Sequence, residues 1–179
     1  LKSFLKVMKY FLTHTVFLLA ILTSTAQDKV NWLSFEEAIS LNKENPKPIL
    51  IDVYTDWCGW CKKMDRDTYS NKTIVKTIND NFYAVKLDGE EKQDILFNGQ
   101  TFKFQENGRK GYHQLAAALL NGKLSYPATV FMNKKEELIQ NIPGYHQKEK
   151  FEVILAFFMN ENYRTYKWQD FQNNFKSNF

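Results

Sequence analysis

Cysteine is nearly absent from this sequence: Cys58 and Cys61 are the only two in 179 residues. One closely spaced pair cannot build the multi-bridge framework of a disulfide-stapled domain, and a staple closing so short a loop would contribute only roughly 2 kcal/mol. Histidine is scarce as well. Beyond residue 26 only His113 and His146 remain, neither at a finger-like spacing from the cysteines. A structural metal site therefore lacks ligands, and neither metal nor cofactor is expected. Each histidine stands alone in its stretch of chain and is expected to be solvated rather than to transfer protons.

Surplus charge of one sign is also missing. The first 26 residues hold no acid, and removing Lys2, Lys6 and Lys9 from the 24 basic residues leaves 21 against 20 acidic ones. The rest of the chain has no excess with which to neutralise a phosphate backbone, which argues against nucleic acid as a partner. Nor is there a long hydrophobic run. The apolar stretch from Val16 to Leu22 is far short of the roughly 20 residues that span a bilayer, and Thr13 and His14 interrupt its approach. Preceded by Lys9 and followed by Ser24, Thr25 and Ala26, it has the layout of a secretory signal over residues 1–26, with residues 1–7 as upstream extension. The expected location is periplasmic or secreted, where disulfides persist, with no stable membrane anchor after cleavage.

What is present suits one domain with a sizeable core: 44% of residues are hydrophobic and 16% aromatic. The domain is expected over residues 27–160. Ser34 with Glu37 forms a capping box opening a first helix, which Pro46 and Pro48 stop. Ile49 to Tyr54 is a nearly continuous apolar run, the pattern of a central strand covered on both faces, with Asp52 as its one odd residue. Helices over Cys58 to about Tyr69 and Thr73 to Asn79 lead to a second buried strand from Phe82 to Leu87. Asn98-Gly99 predicts a tight hairpin between Ile95–Phe97 and Thr101–Phe104, and Leu115 to Leu120 a short helix ended by Gly122. Ala128–Met132 and Leu138–Ile142 should pair antiparallel up to Pro143-Gly144, before a last helix carrying Phe151, Ile154, Leu155 and Phe158. A tail over residues 161–179, with Tyr166, Trp168, Phe171 and Phe175, is expected to form an aromatic helical extension packed on the domain.

The chemistry concentrates in Asp56-Trp57-Cys58-Gly59-Trp60-Cys61-Lys62-Lys63, two thiols three residues apart where a buried strand gives way to a helix. The free N–H groups and dipole of a helix start stabilise a thiolate, so Cys58 is expected to ionise below the ordinary value of about 8.5 and to act as nucleophile. Cys61, one turn away, is placed to resolve the resulting mixed disulfide.

The stretch "ILIDVYTDWCGWCKK", Ile49 to Lys63, resembles the active-site strand and helix of the thioredoxin family. The likeness extends over roughly Trp32 to Asn160. Asp52 precedes Cys58 by the family's interval, Lys86 in "AVKLD" resembles the lysine on the next strand, Tyr126-Pro127 resembles the cis-proline step, and Gly144 the glycine after the last hairpin. "DWCGWCKKMDRDTY" is most similar to exported bacterial thioredoxin-like proteins. The resemblance implies an α/β fold, a central mixed sheet flanked by helices, with an extra hairpin and helix inserted before the cis-proline strand. It also implies catalytic roles for Cys58, Cys61, Asp52 and Lys86. Asp52, buried and raised in pKa, would take the proton from Cys61, or would merely pair with Lys86; both can hold at once. Substrate would meet Trp57, Gly59, Trp60, Tyr126, Pro127 and Gly144, with Trp57 expected as a packed shield rather than a chemical participant.

Two features depart from the family. Trp60 replaces the usual proline, in a position that influences a redox range of about 150 mV. The segment from Gly89 to Ser125 is long, and forms either a lip over the site or a surface excursion without contact to substrate. The function expected is a thiol-disulfide oxidoreductase acting in the reducing direction on protein disulfides, fed by a membrane-embedded electron donor. The alternative is a redox-slow module of the same fold for peptide binding or chaperoning.

Overall fold

The computed structural model describes residues 29–108, 110–177 and 179; the signal expected over residues 1–26 lies outside them. In chain order the elements are β1 (Trp32–Leu33), α1 (Phe35–Glu44), β2 (Ile49–Tyr54), α2 (Gly59–Asp67), α3 (Lys72–Asn81) and β3 (Tyr83–Asp88). Two small hairpins follow, β4 (Ile95–Phe97) with β5 (Gln100–Phe102) and β6 (Phe104–Asn107) with β7 (Lys110–His113). Then come α4 (Gln114–Leu119), β8 (Ala128–Met132), β9 (Leu138–Pro143) and α5 (Lys148–Met159). A 3-10 turn (Asn162–Arg164) and α6 (Trp168–Asn174) close the chain.

The main sheet runs β1-β3-β2-β8-β9. β1, β3 and β2 are parallel, while β8 and then β9 are antiparallel to their neighbours. Because side chains alternate across a strand, Ile49, Ile51 and Val53 face one layer with α1 and α4, and Leu50 and Phe131 face the other with α3 and α5. Asp52 shares the parity of Leu50, so it is directed to the second layer, as is its register partner Lys86. In that layer Phe131 stacks on Phe158 with ring centroids 4.1 Å apart and meets Phe82 edge-on.

The expected capping box is present: the Ser34 hydroxyl accepts from Glu37 N–H at 3.1 Å and the Glu37 carboxylate accepts from Ser34 N–H at 2.8 Å. Ser34→Ala removes one half of this pair and should lower stability by about 1 kcal/mol in chemical denaturation; an unchanged midpoint would show that water satisfies the freed amide equally well.

Three features differ from the expectations. A second hairpin follows the expected one, and Asn107-Gly108 repeats the Asn-Gly signal of the first, with Gly108 at φ +62°. β1 is only two residues long at the sheet edge and has no sequence signature. Both histidines are buried, not solvated. His113 ends β7 and caps α4, its Nδ1 accepting from Leu115 N–H at 3.2 Å. His146 sits in the β9–α5 connection, its pKa lowered by burial and by Lys150. In the tail, Trp168 and Phe171 each pack against Phe157 at 5.2 Å, while Tyr166 remains half exposed.

Candidate functional site

β2 leaves the sheet at Thr55, and the chain turns so that Cys58 N–H donates to the Thr55 carbonyl at 3.0 Å. Cys58 thereby becomes the N-cap of α2 (φ −74°, ψ 101°), with its sulfur in the place usually taken by a serine or aspartate oxygen. Its Sγ accepts from Cys61 N–H at 3.0 Å. The first turn of α2 holds no acidic residue, so nothing there cancels the positive end of the helix dipole. Cys58 and Cys61 form a disulfide, with Cα atoms 5.3 Å apart. Both cysteines are almost fully buried, while the tryptophans beside them, Trp57 and Trp60, are 58% and 60% exposed.

In the layer of α2, α3 and α5 lies the second group. Lys86 on β3 donates to Asp52 Oδ2 at 2.6 Å and also to Asp65 on α2, and its ammonium stands over the rings of Trp32, Tyr54 and Tyr69 at 4.9–5.4 Å. Asp52 is 1% exposed, and its Oδ1 is a buried oxygen with no hydrogen-bond partner. Burial raises the Asp52 pKa above the ordinary 3.8, and the Lys86 charge offsets this only in part. Burial also opposes the Lys86 ammonium, but Asp52 and Asp65 outweigh it and hold its pKa above the ordinary lysine value. Tyr69, whose hydroxyl contacts Thr129 Oγ1 at 3.4 Å, is raised well above 10, chiefly by burial and then by Asp52.

The rim comes from three loops. The Tyr126-Pro127 bond is cis, and Tyr126 meets Trp57 edge-on at 6.0 Å. The Tyr126 hydroxyl is pushed up to about 12 by burial, then by Glu90 and Asp88. Trp57 also donates from Nε1 to Glu90 at 3.1 Å and lies under the Lys110 ammonium, so residues of the inserted segment hold one side of it. Trp57, expected as a packed shield beside the thiols, is thus packed along one edge and open on the other. On the far side Trp60 rests on Tyr145 at 5.5 Å, next to Gly144, whose φ of +91° favours glycine.

Gly89 fixes the junction: its N–H donates to the Tyr54 carbonyl and its own carbonyl accepts from His113 N–H, both at 2.7 Å. A Cβ here would overlap the Tyr126 ring. Gly89→Ala should therefore cost about 1–3 kcal/mol and shift tryptophan emission as Trp57 loses its edge contact. Native stability and native emission in this variant would show that Tyr126 moves aside freely.

Every residue expected at the site is accounted for. Trp57, Gly59, Trp60 and both cysteines lie on one turn, the cis step brings Tyr126 and Pro127 to the Trp57 side, and Gly144 adjoins the Trp60 side. Asp52 and Lys86 pair beneath, on adjacent strands. Sequence reasoning missed Asp65, Tyr69, Tyr145, Glu90 and Lys110. Only Asp65 had a readable signal, standing four residues after Cys61 and so on the same helix face. Among the described residues no cluster of three or more His, Cys, Asp and Glu side chains is placed to hold a metal ion, and no helix is long and apolar enough to cross a membrane.

This sheet order, the helices on both faces, the cysteine pair opening α2 and the cis-proline step together define a thioredoxin fold with a CXXC motif. A DsbH oxidoreductase superposes with a TM-score of 0.54 and 18% identity, over 78% of this chain and 92% of that one. The chain belongs to the Thioredox_DsbH family (protein of unknown function, DUF255), which it matches over residues 18–175. Among curated relatives, mouse spermatogenesis-associated protein 20 is 34% identical over 71 residues, 39% of this chain and 9% of that protein. The thiol:disulfide interchange protein DsbD of Campylobacter jejuni is 29% identical over 86 residues, 43% of this chain and 15% of that protein. The chain thus spans only a small part of these relatives, 9% of the mouse protein and 15% of DsbD.

Proposed function

We propose that the chain is a thiol-disulfide oxidoreductase that reduces protein disulfides outside the cytoplasm. The observation that carries this reading is the bonded Cys58–Cys61 pair at the start of α2, with the Cys58 sulfur receiving the Cys61 amide. In the reduced chain the same amide and the helix dipole stabilise a Cys58 thiolate. That thiolate attacks one sulfur of a substrate disulfide, forming a mixed disulfide and releasing the other substrate sulfur as thiolate. Cys61, deprotonated, then attacks the Cys58 sulfur, re-forms the Cys58–Cys61 bond and releases the second substrate thiolate. Two electrons pass to the substrate, and a dithiol donor must return them.

Asp52 is the proton acceptor for Cys61 in this scheme: it is buried, raised in pKa and has one oxygen without a partner. Lys86 bears on that carboxylate by direct contact. Trp57, Gly59, Trp60, Tyr126, Pro127 and Gly144 form the surface that receives substrate. The N-terminal signal layout supports an extracytoplasmic site of action, where a membrane-embedded donor would return the electrons, and similarity to a segment of the thiol:disulfide interchange protein DsbD supports the exchange chemistry. The test is insulin reduction by the chain comprising residues 27–179, with dithiothreitol as donor. Turnover well above dithiothreitol alone is expected; rates equal to it would leave a peptide-binding module of the same fold as the better reading.

A further inference from the structure

The β6–β7 hairpin leans on the residue next to the attacking cysteine. Lys110 stands 4.7 Å from the Trp57 ring centre, and Glu90 accepts the indole N–H on the same side. Between hairpin and indole opens a cleft of about 360 Å³, lined by Trp57, Glu90, Lys92, Phe104, Glu106 and Lys110. The base of the hairpin is tied to the core, His113 N–H donating to Gly89 and Gln114 N–H to the Lys103 carbonyl at 2.9 Å. The cleft is therefore held in register with the end of β3, not attached to a free loop.

Its walls carry charges of both signs beside one indole and one phenyl ring, each capped by an ammonium, Lys110 over Trp57 and Lys92 over Phe104. Such a lining suits the amides and mixed side chains of an extended polypeptide better than a compact apolar ligand. Neither Cys58 nor Cys61 lines it, so a small disulfide that reacts at Cys58 has no need to occupy it. We propose that this cleft is a docking subsite for the polypeptide segment flanking the substrate cysteine, so that the substrates are disulfides in extended segments of proteins. This rests on Cys58 as the attacking thiol. Once the mixed disulfide forms, the segment is tethered beside the cleft, and weak contacts suffice to hold it there because the local concentration is high.

Reduced Cys61→Ser protein separates the two claims. It is loaded through Cys58 either with a 15-residue peptide, supplied as the mixed disulfide with thionitrobenzoate, or with a hydroxyethylthiol group from hydroxyethyl disulfide; each reaction expels one thiolate. Amide hydrogen exchange is then compared over residues 104–113. At least fivefold slower exchange is expected in the peptide adduct than in the hydroxyethyl adduct, and the protection should fall when Lys92 and Glu106 are both changed to alanine. Equal exchange in the two adducts, or protection indifferent to those changes, overturns the docking subsite. Failure of either probe to form an adduct sinks the attacking role of Cys58 instead.

Discussion

Cys58→Ser abolishes disulfide turnover, while Cys61→Ser permits a single attack and stops there. A serine hydroxyl at the helix start keeps the cap but is not ionised near neutral pH and cannot exchange with a disulfide. The serine variant is therefore expected to fold normally and to show no turnover above free dithiothreitol. Cys61→Ser keeps the thiolate and loses only the neighbour that would release substrate, so it accumulates one equivalent of mixed disulfide, read as an added mass. In the reduced native chain, alkylation of Cys58 should follow an ionisation below about 8.5. Turnover surviving in Cys58→Ser, or an adduct borne by that variant, places the attack elsewhere.

Asp52→Asn is expected to slow exchange by about 100-fold and at the same time to raise the melting temperature at pH 7. The rate effect follows from removing a positioned proton acceptor, whose contribution is typically at least that large. The stability effect follows from burial. The folded pKa of Asp52 lies above the ordinary 3.8, so the native state holds its proton more tightly than the unfolded chain does. Stability accordingly falls as the pH rises through the interval between those two values, and the whole loss is present above it. An amide escapes the loss, and Lys86 keeps its pairing with Asp65. The gain in melting temperature should thus be seen at pH 7 and disappear below pH 3.8. A variant less stable than native at pH 7 would show that the Lys86–Asp52 pair outweighs the cost of burying the carboxylate.

Particular residues show what could be read in advance. Ser34 and Glu37 act within one helical turn, and the capping box is present as expected. Asn98 (φ +49°) and Gly99 (φ +77°) take the positive angles that their dipeptide favours. The continuous apolar run of β2 is covered on both faces, and its one carboxylate is buried with its lysine on the adjacent strand. Burial of the histidines is not legible in the sequence because it is a property of the packed neighbourhood: His113 caps a helix against the core, and its neighbours in sequence do not say so. The sequence alone leaves the inserted segment open between lip and excursion, and contacts of Glu90 and Lys110 with Trp57 bring it against the indole beside Cys58.

By itself the sequence determined the local devices: caps, turns, the parity of strand residues and two thiols at a helix start. These depend on neighbours within about four positions along the chain, so periodicity and residue type suffice to reveal them. Only the tertiary structure decided that Lys86 is shared by Asp52 and Asp65, that Tyr145 supports Trp60, and that a hairpin some fifty residues downstream braces Trp57. Those contacts join segments far apart in the chain, and they form because closing the sheet and packing its two faces brings the segments together.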